Sequence, residues 1–269
     1  MRRRETRMGR RGFSNVTSTV ILSSVLLTIM ITASYLASDI LTIQVAASEF
    51  KTAENLIFSI DSEINRLIFK PGSSTIIKTS FSNTAPGFTR TGEPLNISFE
   101  DATQSYNYSI DINIFNIDGR RVLGGRFDYD LQGDVSLIVS PYNGTMGRIR
   151  ISRPRKLRAS LDYERVLLTF TGILNFFNGS AYVPHNTLEV TSIELSFGSF
   201  DVSGNSIIVI QNEEVVTDTL RLQGNCSITV STSSGSETKG IAELGGDPAY
   251  QTLVNFHRVY IKISVLGGG

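Results

Sequence analysis

From Gly12 to Ser38 no residue carries a charge, and Arg11 and Asp39 bound the run. The 26 residues Phe13–Ser38 would span about 39 Å as an α-helix at 1.5 Å per residue, enough to cross a bilayer. The helical pattern continues past this run. Leu36, Ile40, Ile43, Ala46, Phe50, Ala53, Ile57, Ile60, Ile64 and Leu67 follow one another at steps of three or four, an apolar stripe of helical period. Asp39, Glu49, Lys51, Glu54, Asp61, Glu63 and Arg66 fall off it. Lys70-Pro71-Gly72 stops the pattern, because proline cannot continue a helix and glycine suits its exit. The spacing thus predicts one helix from Phe13 to Phe69, about 85 Å long. Its half 13–38 is apolar all round, and its half 39–69 is amphipathic.

After Gly72 the period changes to two. Tyr106, Tyr108, Ile110, Ile112 and Ile114 alternate with polar residues, as in a half-buried strand. Further short strands are predicted at 75–81, 95–99, 135–139, 148–151, 166–170, 188–197, 207–210, 215–222, 227–230 and 259–265. Turn signals separate them at Asp118-Gly119, Gly124-Gly125, Asn143-Gly144, Asn178-Gly179, Ser203-Gly204 and Gly245-Gly246, and Ser231–Ser236 reads as a short loop. The expected class is therefore α+β: a long N-terminal hydrophobic helix followed by an all-β head, 73–269, of Ig-like β-sandwich type. About 195 residues is large for one such sandwich. The head reads as an elaborated sandwich or as two stacked ones, with Arg153-Pro154-Arg155-Lys156 as the candidate boundary.

Charge adds an asymmetry. Lys and Arg total 25, as do Asp and Glu, yet residues 1–12 hold six arginines and one acid. The remainder has a net charge of −5, which leaves no basic footprint for a nucleic acid. Arginines just before an apolar helix stay cytoplasmic under the positive-inside rule, which sends the body outside. A conventional cleaved signal peptide, with Thr32-Ala33-Ser34 as its best site, and a permanent signal anchor are two readings of this segment.

A third comes from Arg10-Arg11-Gly12-Phe13, which stands immediately before the apolar run. Here the chain resembles a prepilin leader, or class III signal peptide. The resemblance implies cleavage by a membrane prepilin peptidase after Gly12, with Phe13 as the first mature residue and 1–12 as leader. Bacterial pilins carry a glutamate at mature position five; Thr17 stands there instead, and archaeal pilins and archaellins commonly lack that glutamate. The family divides its helix as this one is divided, with the first half packing in a filament core and the second docking on the subunit's own head. The docking set on the stripe would be Ile43, Phe50, Ile57, Ile60 and Ile64. Ser24, Thr28 and Thr32 lie four apart on one face, with Thr17 a heptad before Ser24, and small hydroxyl residues let helices approach closely in an apolar medium. A membrane anchor followed by a short coiled-coil stalk is the plainer reading of the same spacing.

No Gly-x-Ser-x-Gly, P-loop or dinucleotide fingerprint is present, and His185 and His257 have no metal-ligand spacing. The chain reads as non-enzymatic and without a cofactor. Cys226, the one cysteine, forms no internal disulfide and reads as a small buried hydrophobe. Asp128, Asp130 and Asp134 place three carboxylates in one predicted loop, a calcium candidate weighed against a solvated acidic turn. Asn-x-Ser/Thr triplets occur at Asn96, Asn107, Asn143, Asn178 and Asn225; Asn143 and Asn178 fall in predicted turns, while Asn107 and Asn225 are expected to be less accessible. The expectation is a surface-filament subunit that partners copies of itself. The alternative is a monomeric, membrane-anchored β-sandwich that binds an S-layer protein or a surface glycan.

Overall fold

A computed structural model describes residues 10–81, 84–122, 128–142, 144–153, 156–201 and 205–267; for 10–16, 46, 49 and 120–122 it describes the backbone alone. One helix, α1 (Arg10–Leu67), is followed by a mostly β domain. Contacts divide the chain into two units, Met1–Ser48 and Glu49–Gly269, so the boundary falls inside α1. The helix closes two residues before the predicted end. Lys70 N–H bonds Leu67 O at 2.9 Å, and Gly72 takes a positive φ of 77°, which a side chain would resist.

The described strands of the second unit are β1 (Ser74–Ser80), β2 (Thr84–Glu100), β3 (Ser105–Val122), β4 (Asp128–Gln132), β5 (Ile138–Val139), β6 (Arg148–Ser152), β7 (Lys156–Asp162), β8 (Val166–Phe177), β9 (Tyr182–Phe200), β10 (Asn205–Leu222), β11 (Ser227–Thr232), β12 (Gly235–Gly240) and β13 (Gln251–Gly267). One sheet has the order β1-β10-β13-β9-β8-β5 and is mixed, since β13–β9 and β5–β8 run parallel. The other, β12-β11-β2-β3-β7-β6-β4, is antiparallel throughout.

One predicted turn lies inside a strand, while Asn178-Gly179 and Gly245-Gly246 fall between elements as expected. Asp118-Gly119 continues β3, pairing with Ala85 and Thr84, because Asp118 is held by Arg158 across the ladder at 2.6 and 2.8 Å. The runs 207–210 and 215–222 join as β10 across a bulge between Asn212 and Glu214, which absorbs the break in alternation. The candidate boundary at Arg153 is a link between β6 and β7, which pair from Arg148↔Asp162 to Ser152↔Arg158. Residues 154 and 155 of that link lie outside the described residues.

Two buried clusters fill the second unit. The first combines α1 with β9, β10 and β13 of one sheet and β3, β6 and β7 of the other. The second lies between the opposite halves of the same long strands, with β2, β8 and β11. The long strands thus serve both clusters, and α1 completes the first.

Candidate functional site

The first surface to consider is the apolar helix. From Thr17 to Leu41 every described residue of α1 is exposed, including Val20, Leu26, Ile29 and Met30. It is the one described helix long and apolar enough to cross a membrane by length and composition. Each large apolar side chain moved from water into an apolar medium gains roughly 1.5–3 kcal/mol. The hydroxyls of Ser24, Thr28 and Thr32 do not oppose that transfer. Thr32 Oγ1 donates to Thr28 O, Thr28 Oγ1 to Ser24 O and Ser24 Oγ to Ile21 O, each at 2.8 Å. The hydroxyls are satisfied within the helix, so one face carries small residues with no donor stranded in lipid. Thr17 is exposed as well. Of Arg10, Arg11, Gly12 and Phe13 the helical backbone is described, while their side chains, and residues 1–9, lie outside the described residues.

The second surface is the seam where the end of α1 enters the β domain. Ile57, Ile60 and Ile64 are fully buried and Phe50 nearly so. Ile43 does not join them: it is 46% exposed and belongs to the first unit, so the seam runs from Phe50 to Ile68. The stripe is also wider than its apolar residues indicate. Glu54 and Asp61, a heptad apart, are buried on it. Glu54 pairs with Lys51 at 2.6 Å. Asp61 accepts from Tyr163 Oη at 2.7 Å and from Gln132 Nε2 at 2.7 Å, so a buried carboxylate finds two donors on the β domain. A Cβ at Gly147 would lie 1.9 Å from Asp61 Oδ1, so glycine makes room for this anchor. Burial, reinforced by the Asp61 charge, drives the Tyr163 hydroxyl pKa well above its ordinary value, which keeps it a donor. The helix exit is held from the other sheet: Asn212, at the β10 bulge, donates to Leu67 O at 2.7 Å and Ile68 O at 3.0 Å, capping carbonyls that α1 leaves open. Sequence reasoning missed Asp61, Tyr163 and Asn212. The i+4 spacing of Asp61 from Ile57 was the available signal.

Beside Tyr163, Asp162 is buried and its pKa is pushed up to about 7, first by desolvation and then by the charge of Glu164.

The three aspartates of the calcium candidate are placed differently from the predicted loop. Asp128 and Asp130 lie on strand β4, and arginines occupy their carboxylates. Asp130 takes two bonds from Arg148 at 3.0 and 3.1 Å and one from Arg150 at 3.2 Å, and Asp128 lies 3.6 Å from Arg150. Asp134 accepts from Ser136 N at 3.0 Å and lies 3.6 Å from the buried Arg165 guanidinium. Among the described residues no group of three His, Cys, Asp or Glu side chains is placed to hold a metal ion. Cys226 is buried, and burial raises its thiol pKa, which opposes thiolate chemistry. His185 bridges Val183 O and Gln251, and His257 contacts Thr217.

Of the sequons, Asn178 sits at the exposed β8–β9 turn, its Oδ1 accepting from Ser180 N and Ala181 N at 3.0 Å. Asn96, Asn107 and Asn225 are also exposed. For Asn107 and Asn225 this departs from expectation: Asn107 points away from the core on β3, and Asn225 lies in the bend between β10 and β11. Asn143 lies outside the described residues.

Comparison with known proteins adds no relative: no protein-family model, no curated protein and no solved structure matches the chain.

Proposed function

We propose that this chain is the structural subunit of a type IV pilus-like surface filament of archaeal type, serving adhesion or motility. A prepilin peptidase cuts after Gly12, and the apolar half of α1, membrane-embedded before assembly, then packs with its counterparts in other copies. The body lies outside the cell. The reading requires no catalysis, cofactor or nucleic acid.

The observation that carries it is the division of α1. Its first half is apolar, exposed and internally satisfied at every described hydroxyl of the Ser24–Thr32 face. From Phe50 onwards the helix is built into the core of the β domain, anchored at Asp61 and at its exit by Asn212. A coiled-coil stalk would leave Ile57, Ile60 and Ile64 for a partner helix, whereas here they are buried within the chain. Reading the β domain as an elaborated sandwich of Ig-like kind is supported by the two sheets lining both clusters. The parallel pairings β13–β9 and β5–β8 would then be additions to a wholly antiparallel plan.

Two measurements test the function. N-terminal analysis of protein from native membranes should give Phe13 as residue one, and negative-stain microscopy with peptide mapping should find the chain in sheared filaments. Retention of Met1, or a start near Tyr35, would overturn the filament reading and leave a signal anchor or a secreted head.

A further inference from the structure

Strands β8 and β9 run on beyond the sheet that holds them. β13 meets β9 first at His185↔Gln251, and β5 meets β8 only at Val166 and Leu167. A bulge between Phe170 and Gly172 marks the departure, with Gly172 at a positive φ of 122°. Beyond it Ile173–Phe177 pair only with Tyr182–Asn186, and within β9 the residues Tyr182–Pro184 have no second partner, forming an arm closed by the Asn178 turn. Both faces of the arm are apolar: Ile173, Phe177 and Tyr182 lie on one, Leu174 and Phe176 on the other. Phe177 is 61% exposed and Tyr182 73%, and Ile173, Leu174 and Phe176 lie between two-fifths and half exposed. A free two-stranded ribbon is marginal in water, and this one spends its apolar residues on solvent.

Its two edges differ. Pro184 blunts the β9 edge, since proline donates no ladder hydrogen bond. The β8 edge has no such guard. From Val166 to Leu188 there is no Asp, Glu, Lys or Arg, and among the described residues no strand pairs with β8 on that side beyond Leu167. A groove of about 590 Å³ lies at its base, lined by Leu168, Thr169 and Phe170 together with Tyr142, Glu237 and Lys239.

We propose that β8 pairs, antiparallel and edge to edge, with β8 of a second copy of this chain. Three observations select that occupant. An edge without charge can meet itself without repulsion, which a charged edge cannot do about a two-fold axis. Ile173, Leu174, Phe176 and Phe177 of β8 would flank their symmetry mates across the new ladder, where cross-strand apolar neighbours shield part of their exposed area. Unpaired edge amides need hydrogen-bonding partners, which another strand supplies and a lipid core does not. The inference is read from the β domain alone and stands apart from the filament.

The test places single cysteines at each position from Thr169 to Phe177 in the full chain in detergent, with copper-phenanthroline oxidation. The two-fold axis of an antiparallel pair stands perpendicular to the sheet and passes midway between the two copies of one residue, which pairs with itself. Each step away from that residue separates the two equivalent Cα atoms by about 6.6 Å more, while a disulfide spans about 7 Å at most. Disulfide-linked dimer should therefore peak at one position. Mixtures of two variants equidistant from it should cross-link with each other, which also covers a position whose own variant misfolds. The buried Cys226 alone sets the background. The peak should persist when Ser24→Asp is added to disable helix assembly. No dimer above background in any variant or mixture, a flat yield, a yield rising steadily towards the tip as random collision gives, or loss of the peak with Ser24→Asp would overturn the proposal.

Discussion

Replacing Ile57 with alanine tests whether the second half of α1 belongs to the core of the β domain. Ile57 is fully buried in the cluster that joins α1 to both sheets. Removing three methylene-sized groups forfeits about 2.4 kcal/mol of transfer free energy at 0.8 kcal/mol each. An unrelaxed void of about 75 Å³ adds up to about 1.8 kcal/mol at 24 cal/mol per Å³. Alanine's better helix propensity returns about 0.4 kcal/mol. The expected loss is about 3–4 kcal/mol. For a domain of this size that lowers the melting temperature by about 6–15 °C. The measurement is a thermal melt of a fragment from Ile43 to Gly269, which holds the whole Glu49–Gly269 unit and should be soluble and monomeric at concentrations too low for arm pairing. Ile43→Ala in the same fragment is the control: Ile43 is outside the seam, so its removal should cost less than about 0.5 kcal/mol. If Ile57→Ala melts within a degree or two of the parent, the seam contributes nothing, α1 is a free stalk, and the division of the helix no longer supports the filament.

Ser24→Asp puts an unpaired charge in the apolar half of α1, at a cost of several kcal/mol in an apolar medium; the β domain should stay folded while filaments disappear from sheared preparations, and intact filaments would refute helix-mediated assembly. Asp162 gives a pH signature of unusual sign. Because its folded pKa of about 7 lies above the ordinary carboxylate value, the unfolded chain releases the proton first, so stability falls as pH rises from about 4 to 7 and levels off above. Asp162→Asn should remove that decline in denaturant titrations, and an unchanged pH profile would show that Asp162 is not the titrating group. Asn178 and Asn143 should carry glycans in native material, read by glycopeptide mass spectrometry, and fully unmodified peptides at both would dispose of the idea.

What the sequence determined on its own was whatever a residue decides together with its near neighbours. The apolar run to Ser38, the three-and-four stripe from Phe50 to Leu67 and the alternation of β3 each report a local period, and the structure has a helix or strand at each. Local period says nothing of strands that exist by virtue of a partner. β4, with Asp128 and Asp130, and β12, Gly-Ser-Glu-Thr-Lys-Gly, are polar edge strands held by their ladders and, in β4, by Arg148 and Arg150 from the next strand. β7 was missed because its start, Lys156, fell in the candidate boundary; the strand is held by its ladder with β3 and by Arg158 on Asp118. Asp118-Gly119 carried a turn signal that the β2 ladder overrode. The burial of Asp61 is the clearest case. A carboxylate is read as solvated because desolvation is costly, and only Tyr163 and Gln132, 102 and 71 residues distant in the chain, offset that cost. The free edge of β8 is likewise a property of the assembled sheet. Its uncharged run was visible in the sequence, but which strands stop short of it was decided when the tertiary structure set the sheet order, since a hydrogen-bonded neighbour or the lack of one is not a property of the strand itself.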